Sequence, residues 1–370
     1  MLKKYLGDMR LLSTPEDYKK LGLKKGTPEI WEDGLRTDGG PGSYEWWYVD
    51  SEFDNGMVIV LTFYTKNHFD AKGPAHPTAN LTITYPDGHR VSRDVRGEKG
   101  KTITASKERC DVTICDTSIK YVDGDYQVHF NEDSLNLELT MKSILPMYRP
   151  ETGHCAFGDD TPEFMGWFVA QPTCQITGTL ALDGKIEKLV GNGYHDHNWG
   201  IGSMFKQFNH WYWGRATVGE YTFITATIVS NATYGNSTVN LFMLGENGEI
   251  LNNDLSKVAV ARADTYQHEI TKKFMDNHLT FTQPTQDDKT YTIEYFREKD
   301  IVAARMLNGL FLPKFIKKLI MLTVANPTYV RSLGKVRLTI DDHGEKTVIE
   351  NDGLWEQMFL GKNKKAIFGR

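Results

Sequence analysis

The stretch Trp46-Trp47-Tyr48-Val49-Asp50-Ser51-Glu52-Phe53-Asp54-Asn55-Gly56-Met57-Val58-Ile59-Val60-Leu61-Thr62-Phe63-Tyr64 reads as one β-hairpin. An aromatic triplet opens the first strand. Asp54-Asn55-Gly56 supplies residues that tolerate positive φ at the turn, and Met57–Tyr64 is a run rich in β-branched and aromatic residues. The same device recurs where Trp211-Tyr212-Trp213 leads into Gly219-Glu220 and a strand beginning at Tyr221, 165 residues on (46 to 211). That interval suits one antiparallel barrel or sandwich of about eight to ten strands, so the chain reads as two related halves.

Working outward, Asn80–Tyr85, Leu135–Met141, Glu220–Val229, Ser237–Leu244 and Lys335–Ile340 are further short runs of strand-forming residues. Pro86-Asp87-Gly88, Asp123-Gly124, Asp183-Gly184 and Glu246-Asn247-Gly248 are turn sequences between them. No long amphipathic helix alternates with the strands, which argues against a doubly wound α/β fold and for an all-β class. A chain of 370 residues exceeds one ordinary core, so two domains are expected. We place an N-terminal extension at 1–40, a first β domain at 41–184 and a second at 185–370, divided at the polar turn within Leu182–Lys188. One segment breaks the β pattern. Arg305–Arg331 contains an apolar run interrupted by Lys314, Lys317 and Lys318. It is too short and too charged to span a membrane, and it fits a helical insertion that plugs a barrel end, acts as a lid or touches a membrane surface.

Composition narrows the function classes. With 40% hydrophobic and 25% charged residues the chain should fold throughout. A net charge of -5 offers no basic field for phosphate backbones, which excludes nucleic acid as an expected partner. The start, MLKKYLGDMRLLSTPEDYKK, has no apolar stretch or cleavage site of a secretory signal, leaving a cytoplasmic location as the expectation. Cys110, Cys115, Cys155 and Cys174 match no zinc or CxxC spacing and are expected to be free, mostly buried thiols.

Three segments concentrate rings and ionisable groups: Gly42–Asp50, Gly191–Gly200 and His210–Arg215. Alternation along a strand puts Glu45, Trp47 and Val49 on one face and Trp46, Tyr48 and Asp50 on the other. It likewise groups His195, His197 and Trp199 opposite Asp196 and Asn198, and Trp211 with Trp213 and Arg215. A metal could use His195-x-His197 with Asp196 or His210, yet no further His/Cys cluster completes a zinc pattern, and no metal is expected. Buried polar residues that satisfy one another are the plain alternative. The third reading is acid–base chemistry. A proton donor held among rings suits alkene protonation, because aromatic faces stabilise the resulting cation in a water-poor pocket. No GxSxG elbow or phosphate loop occurs, Gly153-His154-Cys155 is a lone His/Cys pair, and no nucleotide cofactor is expected.

Tyr44-Glu45-Trp46-Trp47-Tyr48-Val49-Asp50 and Gly193-Tyr194-His195-Asp196-His197-Asn198-Trp199-Gly200 resemble the two signature stretches of the carotenoid 1,2-hydratase (hydroxyneurosporene synthase) and AttH-like family. The resemblance runs from about Pro41 to Phe359 and implies paired lipocalin-like β domains with a pocket for a small apolar molecule. The family also includes kievitone hydratase-like proteins and fungal Diels–Alderases, so it implies no single reaction. His197 and Trp199 match positions important in the hydratases. Glu220–Val229 holds no aspartate to match the family's catalytic one. The expectation is a cofactor-independent hydratase-type lyase on an isoprenoid-like C=C bond, with Asp196, His197, His195, Glu45 and Asp50 as candidate catalytic residues. Trp46, Trp47, Tyr48, Tyr194, Asn198, Trp199, Trp211, Trp213 and Arg215 are the candidate substrate contacts. An isomerase or cyclase on a terpenoid or polyketide, and a non-catalytic carrier of a steroid-, polyene- or isoprenoid-like ligand, are the alternatives.

Overall fold

The computed structural model describes residues 5–252, 254–285, 288–306 and 327–361. Its strands run β1 Met9–Leu11, β2 Ser43–Phe53, β3 Val58–Tyr64, β4 Thr78–Thr84, β5 Arg90–Arg96, β6 Thr104–Ala105, β7 Asp111–Ile114, β8 Thr117–Val122, β9 Asp125–Glu132, β10 Leu135–Ser143, β11 His154–Phe157, β12 Phe164–Leu182 and β13 Lys185–Ile201. They continue as β14 Phe208–Val218, β15 Tyr221–Ser230, β16 Thr238–Glu246, β17 Glu249–Asn252, β18 Ala259–Gln267, β19 Phe274–Pro284, β20 Lys289–Arg305, β21 Thr328–Asp342 and β22 Glu345–Phe359. The fold is all-β, in two curled antiparallel sheets of lipocalin-like form.

The first sheet has the order β5-β4-β3-β2-β13-β12-β10-β9-β8-β7-β6, and the second β17-β16-β15-β14-β22-β21-β20-β19-β18. The turns are where the sequence puts them. Asp123-Gly124, Asp183-Gly184 and Asn247-Gly248 each carry two successive positive φ values, the geometry that matches the twist of a tight hairpin. Both aromatic triplets start the first hairpin of their sheet, β2–β3 and β14–β15.

Two compact units result, one of Leu11–Ala156 with Pro162–Ser203 and the other of the described remainder. The division falls at 203/204, not at the 184/185 turn expected from sequence. Asp183-Gly184 joins β12 to β13 inside the first unit, and β13 pairs on its other side with β2. A polar Asp-Gly turn marks a hairpin as readily as a domain boundary, and only the pairing distinguishes them. The segment 1–40 is also more than an extension, because its Glu32, Asp33 and Thr37 are buried in the first unit. Arg305 ends β20 and Thr328–Arg331 begins β21, so both ends of the predicted helical insertion are strand. Residues 307–326 lie outside the described residues. Among the described residues no helix is long and apolar enough to cross a membrane.

Period-two patterning builds each core. In β2, Trp47, Val49 and Phe53 face inward, as do Ile59, Leu61 and Phe63 in β3, and these join Val128, Phe130, Leu137, Leu139 and Phe168 in the first core. The second core gathers Tyr212, Val218, Phe223, Phe281, Ile293, Tyr295, Val336, Leu338 and Trp355. All four cysteines are free; Cys110, Cys155 and Cys174 are buried, and Cys115 is exposed at the left-handed position of the β7–β8 turn (φ 53).

Candidate active site on the faces of β2 and β13

The two signature stretches are neighbours. β2 and β13 pair without a break from Ser43↔Ile201 to Phe53↔Gly191, which sets Trp47 beside His197, Val49 beside His195, Tyr48 beside Asp196 and Trp46 beside Asn198. Alternation then sends one set of side chains into the core and the other to the outer face of the sheet.

Inside, Glu45, His195 and His197 meet Asp33, all fully or almost fully buried. Glu45 Oε1 accepts from the Arg36 amide (2.6 Å) and from His197 Nε2 (2.8 Å). Its Oε2 accepts from the Thr37 amide (2.7 Å) and hydroxyl (2.6 Å). Asp33 Oδ2 accepts from the Tyr126 hydroxyl (2.6 Å) and from His195 Nε2 (3.1 Å), while the Asp33 carbonyl accepts from Trp47 Nε1 (2.9 Å). Each imidazole therefore lies between two acceptors. His195 Nδ1 donates to the Tyr48 carbonyl (2.9 Å), and His197 Nδ1 lies 3.3 Å from the Glu32 carbonyl. Burial presses the His195 pKa down, but the Asp33 carboxylate and the Tyr48 carbonyl outweigh it and the pKa is raised. The Asp33 and Glu45 carboxylates thus satisfy the two buried rings by hydrogen bonding. The rings complete the enclosure, with His197 stacked on Trp47 (4.5 Å, 9°) and tilted against Trp199 (4.8 Å). Trp199 lies over Gly166, where a Cβ would come within 2.2 Å of the indole.

The outer face is different in kind. Asp196 Oδ2 accepts from Trp167 Nε1 (2.8 Å) and the Tyr194 hydroxyl (2.7 Å), and its Oδ1 accepts from Asn198 Nδ2 (2.8 Å). Beside it, Tyr48 donates to Asp50 Oδ2 (3.0 Å). Register lays these residues out in rows across β3, β2, β13 and β12: Tyr64, Trp46, Asn198, Trp167, and next to it Thr62, Tyr48, Asp196, Val169. Trp46, Tyr48 and Trp167 are half-buried, so this face presents ring surface around a carboxyl. Burial raises the Asp196 pKa even though its three donors favour the carboxylate.

The predicted residues thus separate. Glu45, Trp47, His195, His197 and Trp199 are interior, while Trp46, Tyr48, Asp50, Tyr194, Asp196 and Asn198 share the outer face. Trp211, Trp213 and Arg215 lie on β14 in the other unit, half-buried on one side of that strand, with His210 on the opposite, buried side stacked on Phe359. His195 and His197 spend their nitrogens on hydrogen bonds with Asp33, Glu45 and two carbonyls, leaving the His195-x-His197 pair no lone pair for a shared ion. Asp33, Cys110 and His195 do bring donor atoms within 4.8 Å of one another, a buried trio that could take a metal only by breaking the His195–Asp33 bond.

Sequence reasoning missed Asp33, Tyr126, Trp167 and Thr37. Glu32-Asp33 within an aromatic, Gly-flanked turn was a signal of a kind, whereas Tyr126 and Trp167 are brought in only by register.

Two curled antiparallel sheets, each opened by an aromatic hairpin, define a protein of two lipocalin-like sheets. The chain belongs to the Diels-Alderase-like family, whose model matches residues 40–298. It is 25% identical over 177 residues to the quinolone epoxide rearrangement protein penF of Penicillium thymicola, covering 45% of each chain. It is 26% identical over 197 residues to the acyclic carotenoid 1,2-hydratase of Rubrivivax gelatinosus, covering 49% of this chain and 46% of that one. The matches span about half the length of these curated relatives. Crystalline CghA shares the fold with a TM-score of 0.59 at 14% identity, over 97% of this chain and 98% of that one.

Proposed function

We propose that this chain is a cofactor-independent enzyme of the hydratase type, acting on a C=C bond of an apolar, isoprenoid- or terpenoid-like substrate by protonation from Asp196. The observation that carries the reading is the Asp196 carboxyl on the ring-lined outer face, with its pKa raised by burial. In the forward step the carboxyl proton passes to one alkene carbon. The cation left on the other is stabilised by the faces of Trp46, Tyr48 and Trp167. Water adds there, and its surplus proton returns to the Asp196 carboxylate. His195 and His197 are positioning residues, anchored in the core on either side of Asp196 so that the strand presents it outward. The hydratase and epoxide rearrangement names among the relatives support small apolar substrates.

A ring-closing or rearranging reaction on a terpenoid or polyketide is the second reading, favoured by the Diels-Alderase-like match over residues 40–298. There Asp196 donates a hydrogen bond without surrendering its proton. Incubation with acyclic carotenoids and polyenes in isotopically labelled water distinguishes the two, since hydration incorporates label and cyclisation leaves the mass unchanged. Turnover surviving Asp196→Asn would refute protonation by Asp196, whereas binding that depends on Trp46 or Trp167 with no turnover of any of these substrates would leave the carrier reading.

A further inference from the structure

Next to Asp196's row, the outer face carries a histidine that neither signature stretch contains. His68 opens the short turn His68–Asp70 after β3 and is packed among rings: Trp46 at 5.1 Å, Tyr64 at 5.4 Å and Phe69 at 4.0 Å between centroids. Neither of its ring nitrogens has a hydrogen-bond partner among the described residues, and Nδ1 is sealed from solvent. This enclosure holds its pKa down to about 4, so the ring is neutral at working pH. A neutral imidazole carries one proton, and an N–H sealed without an acceptor is costlier than a bare lone pair. The proton therefore belongs on Nε2, the edge that is not sealed, and Nδ1 keeps its lone pair.

We propose that His68 is a ligand-binding residue whose Nε2–H donates a hydrogen bond to an acceptor oxygen, of carbonyl, ether or epoxide type, on an otherwise apolar substrate. The proposal rests on the outer-face site described above and deepens it by naming the ligand's polar handle. Trp46 pairs with Asn198, one step diagonally from Asp196, and strands are about 4.8 Å apart, so a molecule on the order of 10 Å long reaches both His68 and the Asp196 carboxyl. Its hydrocarbon body would lie along Trp46 and Tyr48.

The test is a binding cycle read by Trp fluorescence. The probes are geranylacetone, an isoprenoid ketone, and the hydrocarbon of the same skeleton without the oxygen. Wild type is expected to favour the ketone by about tenfold, the effect of one well-placed hydrogen bond. His68→Phe keeps a ring in the stack and removes the donor, so it should erase that preference while leaving the hydrocarbon's Kd and the melting temperature unchanged. His68→Gln, which restores a donor, should recover part of it. A preference that survives His68→Phe, or equal weakening of both probes, overturns the proposal and leaves the outer-face site intact. Failure of the wild type to bind either probe overturns the outer-face site and His68's role together.

Discussion

Replacing Glu45 tests whether the interior cluster is a structural keystone. Its carboxylate accepts from two amides, a hydroxyl and His197 Nε2, at 2.6 to 2.8 Å, in a site with no exposure. Glu45→Ala removes the carboxylate that His197 Nε2 faces and leaves three further donors without an acceptor. Removing one partner of a buried ion pair costs about 3–5 kcal/mol, and relaxation keeps the orphaned amides from adding their full penalty on top. Against a typical total of about 5–15 kcal/mol, that is a large share of the unit's stability. At about 2–4 °C per kcal/mol for a unit of this size, the melting temperature should fall by roughly 6–20 °C. Near-UV circular dichroism is the assay of choice, because Trp47 stacks on the affected imidazole. Glu45→Ala and His197→Ala together should cost less than the sum of the singles by at least about 1 kcal/mol, since each destroys the same pair. Additive losses, or a Glu45→Ala cost below about 1 kcal/mol, would show that the cluster is not the coupled pair described here.

Asp196→Asn should lower turnover by about 10²–10⁴-fold, the usual contribution of a positioned acid, in a steady-state assay. It should be no less stable than wild type at neutral pH. The folded Asp196 pKa lies above its unfolded value, so its favourable contribution is present at low pH and is lost as pH rises through the folded pKa. Acidification should destabilise the first unit through His154, whose pKa burial lowers to about 4. A depressed histidine contributes stability above its unfolded pKa near 6.5 and loses it as pH falls toward the folded value. The loss reaches about 3 kcal/mol and is readable as a falling urea midpoint that His154→Gln flattens. Gly166→Ala should displace Trp199 from its seat on the glycine, cost about 1–3 kcal/mol in chemical denaturation and alter the near-UV spectrum.

Legibility from sequence followed range of interaction. The all-β class and the hairpin turns were readable because Asp-Gly and Asn-Gly pairs act locally, and the facing of Glu45, Trp47, His195 and His197 was readable because alternation is a property of one strand. What could not be read depends on which strands lie side by side. Nothing near Tyr126 in the chain says that its hydroxyl meets Asp33, nor that Trp167 would donate to Asp196. The division of the chain was misplaced for the same reason, since Asp183-Gly184 has the chemistry of a tight turn whether it closes a hairpin or ends a domain.

The arrangement also explains how a single motif can hold both the buried imidazoles and the proposed acid, Asp196. Consecutive residues of β13 point to opposite sides, so His195 and His197 must be interior if Asp196 is to be outward. Burying two imidazoles demands hydrogen-bond partners, which Asp33 and Glu45 supply, and those bonds fix the backbone on both sides of Asp196. A carboxyl whose pKa is raised by burial gains nothing for stability from its own ionised form, so its position has to be imposed by neighbours. In this strand the imposing groups are the residues immediately before and after it. Substitutions at His195 or His197 should therefore act on turnover through the placement of Asp196, lowering stability and kcat together, whereas Asp196→Asn lowers kcat alone.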